Sequence, residues 1–501
     1  MLAPWAIEEM RGAKLEDKRL NERLTKVLSA LGEHPTASIP AACGGHAETI
    51  AAYRFFDHDR ATPQRILEPH YAATRQRIAA QATVLLVQDT SELDLTRPQQ
   101  QVVGAGPLDA SARRGAFVHP LQAFTPDGTP LGAVWVHLWA RPEAADPTRR
   151  AGKKTRNQQY QTPIEEKESF RWLEGFRQAQ AVAQALPQVT CVCVADSEGD
   201  IYELFAEPRG ESAAHYLVRA CHADRLLQSH EAATAATAAP PAHLREQVLT
   251  APVLFTKEIT VRGRAEPKVS CDKGRRRQPR QSRTAQVEVR AATVTLAPPY
   301  RPGRALPPVT LHAVLVREID PPAEDEPVEW LLLTTLPIDS VERVREIVQY
   351  YTVRFLIEVL FRILKSGCRV EERRFEKLER LLPCVAVYLI VAWRTLMLCR
   401  LGRSCPDLNC EAVFEPAEWK AVWMVVKREN PPETPPRLGE MIKLIAQLGG
   451  YLNRPNRKDP PGPQTVWLGL QRMHDLASAW NTFGPGKTAQ RETCRTPPGD
   501  V

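Results

Sequence analysis

The chain has 501 residues, 43% hydrophobic and 25% charged, with 66 Lys and Arg against 59 Asp and Glu and a formal net charge of +7. That length allows two to four domains with a large core and places the chain among ordinary globular proteins. The basic excess is modest, so it permits nucleic-acid binding without requiring it.

The start, MLAPWAIEEMRGAKLEDKRL, becomes charged at once, so no signal peptide is expected. Residues 1–75 read as helical. Leu15, Leu20, Leu24, Leu28 and Leu31 recur at helical spacing, and HAETIAAYRFFDHD forms a second helix. Its run Tyr53-Arg54-Phe55-Phe56 suits either an ordinary core or a helix laying cations on DNA.

Near residue 83 the character changes. TVLLVQDTSELDLT is an apolar strand ending at Asp89, and a hairpin is expected around Pro126-Asp127-Gly128. EEKESFRWLEGFRQAQAVAQAL reads as a helix, and VTCVCVADSEGDIYELF as a strand that ends at Asp196 and leads into another helix. Strands alternating with helices indicate a mixed α/β layer fold. Residues 210–335 hold five β-rich runs and a basic loop, DKGRRRQPRQSR, and so read as a β-rich insertion. That loop carries Lys273, Arg275, Arg276, Arg277, Arg280 and Arg283, which suit either solvent or phosphates.

YYTVRFLIEVLFRILKSG, residues 350–367, reads as one buried helix. At about 100° per residue, Tyr351, Arg354, Glu358, Arg362 and Lys365 share one stripe, and the remaining arc is apolar. A buried carboxylate is costly unless cations, a metal or hydrogen bonds compensate it. Glu358 is therefore either half of a structural ion pair or part of a site. LLPCVAVYLIVAW suits a core helix, being too short to span a bilayer comfortably. The chain from about 401 to 482 is again helical, and 483–501 is expected to be a disordered tail. Eleven cysteines without a CxxC pair give a zinc site or disulfide framework little support, and a reduced cytoplasmic setting is expected.

Asp89, Asp196 and Glu358 could converge as carboxylates at one sheet edge. An Asp before Ser197 is equally suited to capping a helix. Converging carboxylates suit Mg²⁺, which prefers oxygen ligands. Two such ions stabilise the attacking and leaving oxygens of a phosphoryl displacement.

The spacing Tyr351-x2-Arg354-x3-Glu358-x6-Lys365 resembles the Y-R-E-K signature of bacterial DDE transposases of the fourth insertion-sequence family. QDTSEL resembles the first-Asp motif, at Asp89, and VADSEGDIY the second, at Asp196. RRGAFVH (113–119), WARP (139–142), EKES-RWL (166–173) and the basic loop resemble further stretches, and EWLLLT resembles the strand with the base-flipping Trp, here Trp330. AAYRFFDH resembles the end-binding domain, and GGYLNRPNRKDPPGPQTVWLGLQRMHDLASAW the dimerisation region. Phe355 stands where a relative has Trp, which keeps an aromatic face without the indole donor.

The resemblance implies an α/β fold with an RNase H-like mixed-sheet catalytic core at 76–400, interrupted by the β-rich insertion at 210–335. Helical domains at 1–75 and 401–482 would bind the transposon end and dimerise. It also implies catalysis and metal binding by Asp89, Asp196 and Glu358, with two Mg²⁺ ions and Mn²⁺ able to substitute. Tyr351, Arg354, Lys365, Trp330, Arg275, Arg276, Arg277 and Arg280 would contact DNA. The partners implied are double-stranded DNA, as inverted ends and as target, and a second copy in a synaptic homodimer. No membrane partner is expected, and the setting implied is the cytoplasm, at the bacterial nucleoid. A catalytically silent DNA-binding derivative and a nuclease that cuts without joining are the alternatives.

Overall fold

The structure, a computed structural model, describes residues 2–97, 99–109, 112–143, 161–228, 242–261, 263, 281–323, 325–454 and 460–485. The chain divides into two units. The first comprises Met1–Gln81, Thr90–Thr148 and Phe355–Val501, and the second Ala82–Asp89 and Arg149–Arg354. The segment 76–400 is thus shared between them. The strands in chain order are β1 (Thr83–Gln88), β2 (Ser91–Asp94), β3 (Gly106–Pro107), β4 (Arg114–Phe124), β5 (Pro130–Trp139), β6 (Thr190–Ala195), β7 (His215–Arg219), β8 (Val253–Val261), β9 (Arg283–Leu296), β10 (Val309–Glu318) and β11 (Glu329–Thr334).

The second unit is a mixed sheet in the order β1-β6-β7-β11-β10-β9-β8. β1, β6 and β7 run parallel, and β11, β10, β9 and β8 continue antiparallel. β1 and β6 are buried along nearly their whole length. Strands covered on both faces read as near-continuous apolar runs, here Val84–Val87 and Cys191–Ala195. All five β-rich runs expected between 210 and 335 are strands, and they extend the sheet: β11 lies beside β7. Helix Phe170–Ala185 packs on β1 and β6. Its Gly175 lies so close that a Cβ there would stand 2.2 Å from the Gln88 side-chain oxygen.

In the first unit the expected hairpin joins β4 to β5, turning at Gly128 with φ of +86°. That left-handed backbone favours glycine. Five helices, Pro4–Glu9, Lys18–Glu33, Ile39–Cys43, His46–Phe56 and Pro63–Ala79, form the N-terminal part. Phe55 and Phe56 are core, and Arg54 is exposed. A buried carboxylate ties this part together. Glu9 meets His70 Nδ1 at 2.5 Å and Arg77 at 2.9 and 3.0 Å. His70 Nε2 accepts the Ala133 N–H at 2.9 Å, so Nδ1 carries the proton donated to Glu9. Burial pushes the Glu9 carboxyl up, but His70 and Arg77 outweigh it and hold the group at about 2.

LLPCVAVYLIVAW lies in helix Leu378–Ser404, whose most apolar window is 83% buried within the protein. It packs with helices Pro416–Lys427, Leu438–Leu448 and Pro463–Phe483 around Leu398, Trp419, Met441, Ile445 and Met473. Residue 483, expected to open the tail, is the last of a helix, and 486–501 lie outside the described residues. The nine cysteines among the described residues that are free include buried Cys191 and Cys193, as an apolar strand requires.

The expectation of one helix over 350–367 is corrected. Helix Val341–Val353 ends at Arg354, helix Phe355–Arg362 follows, and Ile363–Gly367 is a π turn. The boundary between the units falls between Arg354 and Phe355. Glu358 is exposed, not buried, because Ile357, Leu360 and Phe361 alone turn this short helix inward.

Candidate active site

β1 pairs with β6 from Thr83↔Thr190 to Val87↔Val194, a constant offset of 107 residues. Asp196 follows Asp89 by the same 107 residues. The last registered pair is Val87↔Val194, so each aspartate stands two residues past that pair at the carboxyl ends of adjacent parallel strands, with the same offset between them. That edge is where α/β sheets bind ligands, because chain leaves the sheet there and opens a crevice. Gln88, fully buried, fixes the end of β1: its amide donates to the Trp172 carbonyl and to Cys193 Sγ, each at 3.2 Å.

Arg354 Nη1 meets Asp89 Oδ2 at 3.2 Å, with both side chains more than four-fifths buried. Asp196 Oδ1 accepts the Glu198 N–H at 2.8 Å and caps the turn Ser197–Gly199. The capping role is therefore real, and a carboxylate that accepts one N–H retains acceptor capacity. Tyr351 is buried, its ring 5.7 Å from that of Trp330 and its plane tilted by 58°. Burial first, and then the Asp196 charge, raise the Tyr351 hydroxyl above its ordinary value, against the pull of Arg354 and Arg219, so Tyr351 is a neutral donor at pH 7. The Arg354 guanidinium stands 6.0 Å from the Tyr351 ring centroid. Trp330 is half-buried, while Leu331–Thr334 beyond it are buried. Glu329, beside Trp330, receives both arms of Arg245 at 2.8 Å.

The second unit thus gathers Asp89, Asp196, Tyr351, Arg354 and Trp330 from the expected site. Glu358 and Lys365 belong to the first unit. Lys365 is half-buried, with Nζ 3.8 Å from Glu371, whose carboxylate accepts the Asp94 N–H at 2.9 Å. Lys273, Arg275, Arg276, Arg277 and Arg280 lie outside the described residues. Arg283 is removed from the phosphate-binding set: its guanidinium is held by Glu318, nearly fully buried, and by Asp325 at 3.0 Å. Among the described residues no three His, Cys, Asp or Glu side chains gather closely enough to hold a metal ion. The Asp89–Asp196 donor set is carboxylate oxygen, which suits a hard divalent cation that keeps several waters. Gln88 and Glu329 went unremarked in the sequence, since their partners stand 84 or more residues away in it.

Three family profiles match the chain in order. Residues 2–61 match the transposase DNA-binding family, residues 174–382 the transposase DDE domain, and residues 390–480 the transposase Tn5 dimerisation domain. Asp196 and Glu358 fall inside the DDE match, and Asp89 precedes it. Among solved structures, a piggyBac transposase synaptic complex with hairpin DNA is 9% identical, with all of this chain and 83% of that one covered at a TM-score of 0.34. A likeness that faint establishes nothing about this chain. The three profile matches do: the chain carries the DNA-binding, DDE and dimerisation domains of a Tn5-type DNA transposase.

Proposed function

We propose that this transposase, a member of the fourth insertion-sequence family, cuts DNA at the inverted ends of its own element and joins the freed 3′-OH ends to target DNA. The observation that carries this reading is the shared 107-residue offset of β1/β6 and of Asp89/Asp196. It supports two neighbouring carboxylates where a sheet opens.

Asp89 and Asp196, joined by Glu358, are the residues that would hold divalent metal, two Mg²⁺ ions or Mn²⁺ in their place. The metal would supply charge stabilisation for the attacking and leaving oxygens of the phosphodiester. Arg354 neutralises Asp89 and lies one short side-chain movement from a phosphate. Tyr351 donates its hydroxyl toward the same backbone, and Lys365 grips a phosphate close to the scissile bond. Trp330, half-open on the Tyr351 ring, receives a base that leaves the stack, a contact of about 1–3 kcal/mol. The basic loop holds further phosphates through Arg275, Arg276, Arg277 and Arg280. The active assembly is a homodimer pairing two ends in the bacterial nucleoid.

The test is a labelled inverted-end duplex incubated with target plasmid, with Mg²⁺ or with EDTA. The reading expects end cleavage and target joining in Mg²⁺ only. Cleavage without joining would make the protein a nuclease. Binding without either product would make it a silent DNA-binding derivative.

A further inference from the structure

All but the last three residues of helix Pro463–Phe483 lie within the dimerisation match, yet it packs on the π turn Ile363–Gly367 that carries Lys365. A π turn inserts one residue into a helix and is frequently found at functional sites. Here the turn closes through the Cys368 N–H to the Ile363 carbonyl at 2.7 Å. Trp467, 4% exposed, forms its wall: a Cβ on Gly367 would lie 3.1 Å from Trp467 Cδ2 and 3.3 Å from Cε3. A third element meets the same place. Arg373, just past the turn, donates to the Pro35 carbonyl at 2.6 Å and to that of Cys368, and Thr36 bonds Gln471 on the helix. The turn is therefore clamped between the linker of the DNA-binding part and the dimerisation helix.

We propose that Trp467 is a positioning residue for Lys365. By filling the space against Gly367 it fixes the π turn, and through the turn it fixes where the Lys365 ammonium meets DNA, so that the dimerisation helix helps assemble the cleavage site. This rests on the phosphate-gripping role of Lys365 proposed above.

The test is a double-mutant cycle on the full chain, reading end cleavage under single-turnover conditions, with a thermal melt on every variant. Trp467→Leu is expected to slow cleavage on the order of 10- to 100-fold, the cost of an ångström-scale misplacement. In the Lys365→Ala background the same change is expected to cost less than about twofold, because the group it positions is gone. Trp467→Phe, which retains a flat wall, should recover most of the rate. Should Trp467→Leu fail to fold, Gly367→Ala takes its place in the cycle with the same expectation. Full additivity of Trp467→Leu with Lys365→Ala would overturn the inference. If Lys365→Ala itself cleaves at the wild-type rate, the phosphate role of Lys365 fails instead, and the inference falls with it.

Discussion

Asp89 and Asp196 end strands buried on both faces, whereas Glu358 lies exposed on an eight-residue helix that passes into a π turn. The strands that precede the aspartates are held by a parallel ladder and by Gln88 braced on helix Phe170–Ala185. Sliding either strand by one residue would turn every buried side chain of that strand to the opposite face, so the strand ends from which the aspartates project are fixed. Glu358 and Lys365 have no such frame. Their positions follow from a short helix, a left-handed Arg369 with φ of +51° and the packing of Trp467. The comparison teaches that rigid and adjustable parts of one proposed site sit on different kinds of scaffold. Substitution at the sheet edge should act on chemistry alone, and substitution around the turn should act through geometry.

The largest effect should come at the rigid edge. Asp196→Asn keeps the shape and removes a charged ligand, so end cleavage should fall by at least about 10³-fold. Its thermal melt should stay near wild type, since the amide oxygen can still accept the Glu198 N–H. A large loss of melting temperature would show that the capping role is the principal one.

Next comes the buried latch of the N-terminal part. Glu9→Ala leaves Arg77 and His70 without their carboxylate and should cost about 3–5 kcal/mol in denaturant unfolding. The pH dependence has a definite sign. The Glu9 carboxyl is held at about 2, below its ordinary 4.5, so its contribution is fully present above pH 4.5. It fades as pH falls from 4.5 towards 2, by about 3 kcal/mol in total. Acid unfolding of Glu9→Gln should lack that component.

Trp330→Ala should have a smaller and more selective effect. The half-buried ring should cost about 1–1.5 kcal/mol of stability. If excision follows the DNA-hairpin route that the resemblance implies, hairpin formation at a labelled end should slow while the first nick is spared, since nicking requires no flipped base. Equal loss of both products with a collapsed melt would make Trp330 a packing residue only. The mildest change is in the basic loop. Replacing Arg275, Arg276 and Arg277 with Ala should lower the slope of log K against log salt by about three units and leave cleavage of bound ends intact.

Much of the rigid edge was legible in the sequence. Short Val-containing apolar runs such as Val84–Val87 and Cys191–Ala195 read as buried strands, and Asp89 and Asp196 stand just past each run. The hairpin at Gly128 and the five strands from β7 to β11 were equally open, because turn chemistry and β-rich runs are local signals. The turn was not. Helical periodicity ran unbroken through Arg354, since a unit boundary leaves no trace in spacing. The same periodicity made Glu358 appear buried, because Leu356 and Val359 count as apolar but are only half-covered. The Glu9–His70–Arg77 latch was out of reach, as its members are brought together from 61 and 68 residues apart.

The metal-holding role proposed for Glu358 is the one most open to refutation. It is tested most directly by Glu358→Gln, with end binding and single-turnover end cleavage measured in Mg²⁺ on the same labelled duplex. The account predicts binding within about twofold of wild type and cleavage reduced by several orders of magnitude, the signature of a group that acts only in the transition state. Cleavage close to the wild-type rate would contradict it and return Glu358 to an ordinary surface carboxylate.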